Sequence, residues 1–123
     1  MEWLVEFTNE FEQWWDTLTA DEQIDIAATV ELLEKRGPNL PFPYSSNITQ
    51  SKHSHMRELR VQHKGKPYRV FYAFDPRRVA ILLLGGKKAG NHAWYNKFIP
   101  AVDALYDQHL LEIESEQETN QRG

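Results

Sequence analysis

Residues 57–84 read RELRVQHKGKPYRVFYAFDPRRVAILLL, and they decide the fold. Three short runs, 57–63, 67–74 and 79–84, are rich in β-branched, aromatic and aliphatic residues, with turn residues between them. Lys64-Gly65 suits a two-residue hairpin loop, and Asp75-Pro76 suits the first two positions of a type I turn. With a two-residue loop the register follows. His63 faces Lys66, Val61 faces Tyr68, Leu59 faces Val70 and Arg57 faces Tyr72; the other face pairs Gln62 with Pro67, Arg60 with Arg69 and Glu58 with Phe71. This register collects the aliphatic side chains on one face, which is what sets strand registers. It also puts Arg60 directly opposite Arg69, which is unfavourable unless something anionic lies between them. Glu58 can partly neutralise the pair from one residue pair away on the same face. So can a phosphate, which the guanidinium fork fits well. The run from Ala80 to Leu84 is apolar at consecutive positions, so it is expected to be a central strand covered on both faces.

Upstream, Trp3 to Phe7 alternates apolar and polar residues and predicts a short first strand. Thr8 or Asn9 can cap a helix carrying Phe11, Trp14, Trp15 and Leu18, with Glu12 placed to close a capping box on Asn9. Thr19, with Glu22 three residues on, starts a second helix whose stripe is Ile24, Ile26, Ala27, Val30, Leu32 and Leu33. Gly37-Pro38 ends it, and residues 38–50 read as a loop. Downstream, residues 91–111 predict a last helix that Pro100 kinks or restarts, with Trp94, Phe98, Val102 and Leu105 as its packing stripe. Residues 112–123 are polar and acidic. The expectation is one domain over 1–111 and a flexible acidic tail over 112–123. The order β-α-α-β-β-β-α, with helices segregated from an antiparallel meander, is α+β.

A chain of 123 residues without cysteine suits one domain and excludes disulfides and thiolate metal sites. No secretory leader is read at Met1-Glu2, and the longest apolar run is too short to span a membrane, so a cytoplasmic protein is expected. The net charge of −4 conceals a strong asymmetry. Residues 1–51 sum to −8, residues 52–97 to +9 and residues 98–123 to −5. The basic middle has the charge of a nucleic-acid-binding segment.

That middle ends in GGKKAGNHAWY, residues 85–95. Gly85-Gly86 is expected to let the backbone turn sharply and a ligand approach closely. Lys87 and Lys88 follow. Asn91 is a plausible N-cap, and His92 and Tyr95, three apart, share a helix face. With Arg60 and Arg69 on neighbouring strands, these residues gather positive charge and titratable groups around one phosphate. Arg57, Lys64, Lys66, Arg77 and Arg78 extend the candidate nucleic-acid-binding set. GGKKAG lacks the spacing of a P-loop. His53 and His55 have no third ligand nearby, so no metal and no cofactor are expected. His109, late in the last helix, is read as a partner of the helix dipole.

MRELRVQHKGKPYRVFYAF followed by VAILLLGGKKAG resembles the RelE/ParE superfamily of bacterial toxins, most closely its HigB-like, phage-derived branch. The resemblance is strongest over residues 56–106. It implies a small curved antiparallel sheet with the helical hairpin on one face and a C-terminal helix. It implies a toxin of a type II toxin–antitoxin system, and a metal-independent, ribosome-dependent mRNA endoribonuclease whose basic concave face holds RNA. In that comparison Arg60, Arg69, Lys87 and Lys88 fall on the basic catalytic positions, and His92 and Tyr95 lie near the last catalytic groups. The general base and acid stay open among His92, Tyr95 and the lysines. The implied partners are a helix-turn-helix antitoxin, mRNA and the ribosome, with a toxin–antitoxin assembly on operator DNA. The alternative within the superfamily is a non-catalytic toxin that poisons a host protein such as DNA gyrase.

Overall fold

A computed structural model describes residues 2–122 of the chain, with side chains through Thr119. The elements are β1 (Val5–Phe7), α1 (Asn9–Asp16), α2 (Ala20–Arg36), a 3-10 turn (Gly37–Asn39), β2 (Ser45–Asn47), β3 (Arg57–His63), β4 (Lys66–Phe74), β5 (Ala80–Lys87) and α3 (His92–Arg122). They form one five-stranded sheet in the order β1-β5-β4-β3-β2.

The β3–β4 register is the expected one at all seven pairs, from Arg57↔Tyr72 to His63↔Lys66. Lys64 and Gly65 both have positive φ, 51° and 77°, as a type I′ loop requires. At the next turn the Arg78 N–H donates to the Asp75 carbonyl at 2.7 Å, and Asp75 Oδ1 accepts from the Arg77 N–H at 2.8 Å. The sheet is mostly antiparallel as expected, and β1, whose pairing the sequence leaves open, joins it parallel to β5. One expectation needs correction. The 38–50 stretch is not all loop, because Ser45–Asn47 adds a short antiparallel strand to β3. Neither is visible locally, since a three-residue strand is specified by its neighbour's free edge more than by its own pattern.

The hydrophobic pattern divides the sheet cleanly. Leu59, Val61, Tyr68, Val70, Tyr72 and Leu82 point to one face and bury Phe11, Ile26 and Leu33 of α1 and α2. Phe71, Ala73, Ile81 and Leu83 point to the other and bury Trp94, Ile99, Val102 and Tyr106 of α3. Each valine, leucine, isoleucine or phenylalanine among them contributes about 1.5–3 kcal/mol by leaving water. β5 is covered on both faces as expected, although β4 holds the centre of the sheet.

Thr8 caps α1, its Oγ1 accepting from the Phe11 N–H at 3.0 Å and donating to the Leu83 carbonyl at 2.7 Å. Thr19 and Glu22 form the expected capping box on α2. α3 runs unbroken past Pro100 and past residue 111 to Arg122, so the expected helix end at 111 is corrected. Ile113 is buried, which continues the packing stripe beyond that point. Mid-helix polar bonds anchor α3. Asp103 accepts from Ser51 Oγ at 2.5 Å and from the Lys52 N–H at 3.1 Å, and His53 Nε2 lies 2.8 Å from Asp107. His109 is not at a helix end; it is buried with Nε2 2.9 Å from Asp75 Oδ2, so a specific bond replaces the dipole reading. His53 and His55 also pack their rings on Tyr106.

The Glu22 carboxyl accepts from the Thr19 N–H at 2.8 Å and from the Tyr68 hydroxyl, and these bonds hold it down at about 2, from 4.5. Burial, then Glu22, pushes the Tyr68 phenol up to about 12. A depressed carboxyl stabilises the fold above its unfolded value, and the gain is lost as pH falls through the folded value. Unfolding free energy is therefore expected to drop as pH falls from 4.5 towards 2. Denaturant titrations at several pH values should show that slope flattened in Glu22→Gln.

Candidate functional site

The β3–β4 register puts Arg60 beside Arg69 on the α3 face of the sheet, and Arg69 beside Gly86 of β5. The anion these opposed arginines call for is Glu58. Its Oε1 lies 3.4 Å from Arg69 Nε, and its Oε2 lies 3.5 Å from Arg60 Nη1. Oε1 also accepts from the Tyr95 hydroxyl at 2.7 Å, and Oε2 from Ser46 Oγ at 2.7 Å. Strands β2, β3 and β4 and helix α3 thus converge on one carboxylate.

The cluster is closed to solvent on this face. Arg69 is 3% exposed and Glu58 4% exposed. Arg69 Nη1 donates to the Tyr68 carbonyl at 3.0 Å, while its Nε, buried, has no hydrogen-bond partner among the described residues. Burial pushes the Tyr95 phenol above its usual value, and the bond to Glu58 adds to the shift, so Tyr95 keeps its proton at neutral pH. Arg60 is the half-open member, its guanidinium 5.0 Å from the centre of the Phe42 ring. Lys88 reaches the same place from the end of β5, with Nζ 5.6 Å from the centre of the Tyr95 ring.

Lys87 does not join it. Adjacent strand residues point to opposite faces, and Lys87 lies on the hairpin side, 5.5 Å from the centre of the Tyr68 ring. His92 opens α3, exposed, and makes no hydrogen bond, ion pair or ring contact with the cluster among the described residues. Arg57 also points to the hairpin face, where Nε donates to Ser45 Oγ at 2.9 Å and Nη1 to Asn47. Lys64 and Lys66 are exposed around the hairpin loop. Arg77 and Arg78 sit at the opposite end of the sheet, about 20 Å from Lys87 at a strand's rise per residue. Arg77 is bound there to Asp75 and Glu6, and Arg78 lies 5.4 Å from the Trp3 ring. The basic segment is therefore several surfaces, not one.

Gly85-Gly86 is also corrected. No turn occurs there, since β5 continues through both to Lys87. The close approach comes from the protein's own rings. A Cβ on Gly85 would lie 2.2 Å from the Trp14 ring, and one on Gly86 3.1 Å from Trp94 and Phe98. The sequence shows the need for missing side chains, but not whether a ligand or an indole fills the space. Ser46 and Phe42 were not legible as members of the cluster, because they reach it only through β2 and the loop before it.

Among the described residues no group of three or more His, Asp or Glu is placed to hold a metal ion, and no helix is long and apolar enough to cross a membrane. A family model described as "Phage derived protein Gp49-like (DUF891)" matches residues 13–107. A Mycobacterium tuberculosis protein provisionally named toxin HigB3 is 41% identical over 100 residues, 80% of this chain and 86% of the relative. A second from the same organism, provisionally named toxin HigB2, is 40% identical over 91 residues, 72% of this chain and 45% of that longer protein. Two solved structures share the fold at low identity. E. coli toxin RelE in the free state, a double mutant, has a TM-score of 0.58 at 12% identity, covering 78% of this chain and 93% of that one. RelE from the Pyrococcus horikoshii RelE–RelB complex has a TM-score of 0.53 at 15% identity, covering 75% and 100%. With the register, the two-faced packing and the arginine pair in place, the family match and the 41% relative have one meaning: this chain belongs to the phage-derived Gp49-like family, among the HigB-type toxins built on the RelE fold.

Proposed function

We propose that this chain is the toxin of a type II toxin–antitoxin system, and that it arrests growth in the cytoplasm by cutting mRNA on the ribosome without a metal. The observation that carries the reading is the arginine pair of β3 and β4 with Lys88 and Tyr95 beside it, around a single carboxylate.

The chemistry is a transesterification. An RNA 2′ oxygen bonds to the adjacent phosphorus, the bond from phosphorus to the 5′ oxygen breaks, and a 2′,3′-cyclic phosphate is left. One proton leaves the 2′ hydroxyl and one reaches the 5′ oxygen. Charge accumulates on the phosphoryl oxygens, where Arg60, Arg69 and Lys88 would stabilise it. The carboxylate of Glu58 is the group in the cluster suited to accept a proton, and protonated Tyr95 is a donor. His92, at the exposed rim, is a second candidate for proton transfer once RNA is bound. For a phosphate to reach Arg69, the first turns of α3 must lift and Tyr95 must leave Glu58. The RelE relative solved with RelB suggests a cognate antitoxin as partner; it would act by covering the basic face or holding α3. A helix-turn-helix antitoxin would also carry the pair to operator DNA.

The test is induced expression with mRNA 5′ ends mapped. Wild type should stop growth and produce codon-phased cuts. Arg69→Gln and Lys88→Ala should each lower cleavage by about 10²-fold, the usual loss for one transition-state donor. Lys87→Ala, on the other face, should change it by less than threefold, about 0.6 kcal/mol in barrier. A second reading has its own support: Arg69 and Glu58 are both buried and lie within ion-pair distance, as in a structural ion pair. Arrest with intact mRNA would favour that reading, a non-catalytic toxin acting on a host protein such as DNA gyrase.

A further inference from the structure

The acidic half of the molecule has a surface of its own, remote from the arginine pair. Among the described residues β1 is an edge strand, bonded only to β5. The Leu4 carbonyl and the Thr8 N–H bond to β5, so by strand alternation the backbone groups of Val5 and Phe7 are directed at the open edge. Phe7 is 54% exposed and Leu4 70% exposed, an unusual load of apolar surface for an edge.

Grooves of opposite character flank this edge. On the hairpin side a cavity of about 590 Å³ has an apolar floor of Val5, Phe11, Trp15, Val30 and Leu82. Its charged lining is Glu12, Asp16, Glu31 and Glu34, with no lysine or arginine among the described residues. On the α3 side the groove is polar and carries Glu6, Glu10, Glu112 and Glu116. Its one arginine, Arg77, is already bound by Asp75 and Glu6.

We propose that the β1 edge docks an extended segment of a partner protein in which apolar residues alternate with lysine or arginine. Pairing with Val5 and Phe7 would add a sixth strand to the sheet. Because side chains of a strand alternate between faces, its apolar residues would enter the hairpin-side groove while its basic residues meet the carboxylates on the α3 side. The charge complementarity selects a cationic partner, and main-chain pairing supplies the register. The surface is independent of RNA cleavage and stays open when something covers the arginine face.

The probe is a capped heptapeptide, Lys-Val-Lys-Val-Lys-Val-Lys, titrated into the full chain with amide NMR shifts as readout; a Glu-Val version is the control. The expected result is saturable binding centred on residues 4–8, absent for the control. Glu112→Lys/Glu116→Lys, on the exposed side of α3, should weaken it at least tenfold and leave the fold unchanged by circular dichroism. Equal binding of both peptides, equal binding by the variant, or shifts centred on β2 would overturn the proposal. So would concentration-dependent dimerisation that the peptide does not compete, since the edge would then serve a second copy of the chain.

Discussion

Glu58→Ala is expected to lower the unfolding free energy by about 3–5 kcal/mol, the usual cost of removing one partner from a buried ion pair. The asymmetry of the cluster makes this the worse of the two deletions. Glu58 has Ser46, Tyr95 and Arg60 as further partners, so without Arg69 the carboxylate stays bonded. Arg69 has Glu58 beside a buried Nε that is already without a hydrogen bond among the described residues, and its Nη1 has the Tyr68 carbonyl. Removing Glu58 strands a buried guanidinium. Arg69→Leu should therefore cost less than Glu58→Ala, and the double variant Glu58→Leu/Arg69→Leu should recover part of the loss. Urea titrations of the three variants check the order. If Arg69→Leu proves the more damaging, the carboxylate is not the keystone of the cluster.

Phe71→Ala should cost about 3–5 kcal/mol, as a fully buried phenylalanine truncated to a cavity. Its ring stacks 5.7 Å from Trp94 and 6.3 Å from Phe98, with the Tyr95 ring edge-on at 6.2 Å. It is thus the seat of the first turns of α3, the turns that close over Arg69. Pro100 lacks the N–H that would bond to the Asn96 carbonyl, so those turns are weakly tied to the anchored half of the helix. Hydrogen exchange should show residues 92–99 opening selectively in Phe71→Ala, while residues 102–113 stay protected by the bonds at Asp103 and His109. Leu33→Ala, on the opposite face, should cost about 2–5 kcal/mol without that selective opening. Uniform loss of protection in Phe71→Ala would mean α3 moves as one piece, and access to Arg69 would need the whole helix to leave.

The fold was readable where its cause is local. The Lys64-Gly65 loop fixes a two-residue connection, and the alternation of Leu59, Val61, Val70 and Tyr72 then leaves one register, which is the one observed. The Thr19–Glu22 box needs only four residues, and the structure holds it. The β2 strand and the parallel pairing of β1 were not readable, because each depends on an edge made by distant residues. The length of α3 is not readable either, because the acidic residues beyond 111 look like a tail, while the buried Ile113 continues the seam.

The same division holds for the candidate site. From the sequence by itself came the basic segment, the opposed arginines and the need for an anion between them, since pairing along two strands follows from periodicity. Only the tertiary structure decided what fills that need. It brought Glu58 between the guanidinium groups, placed Tyr95 over them, sent Lys87 and Lys88 to opposite faces, and gave the space beside Gly85 to Trp14. The reason is that a strand's pattern states which face a residue takes. What meets it there depends on helices whose docking is set by the summed packing of the whole core.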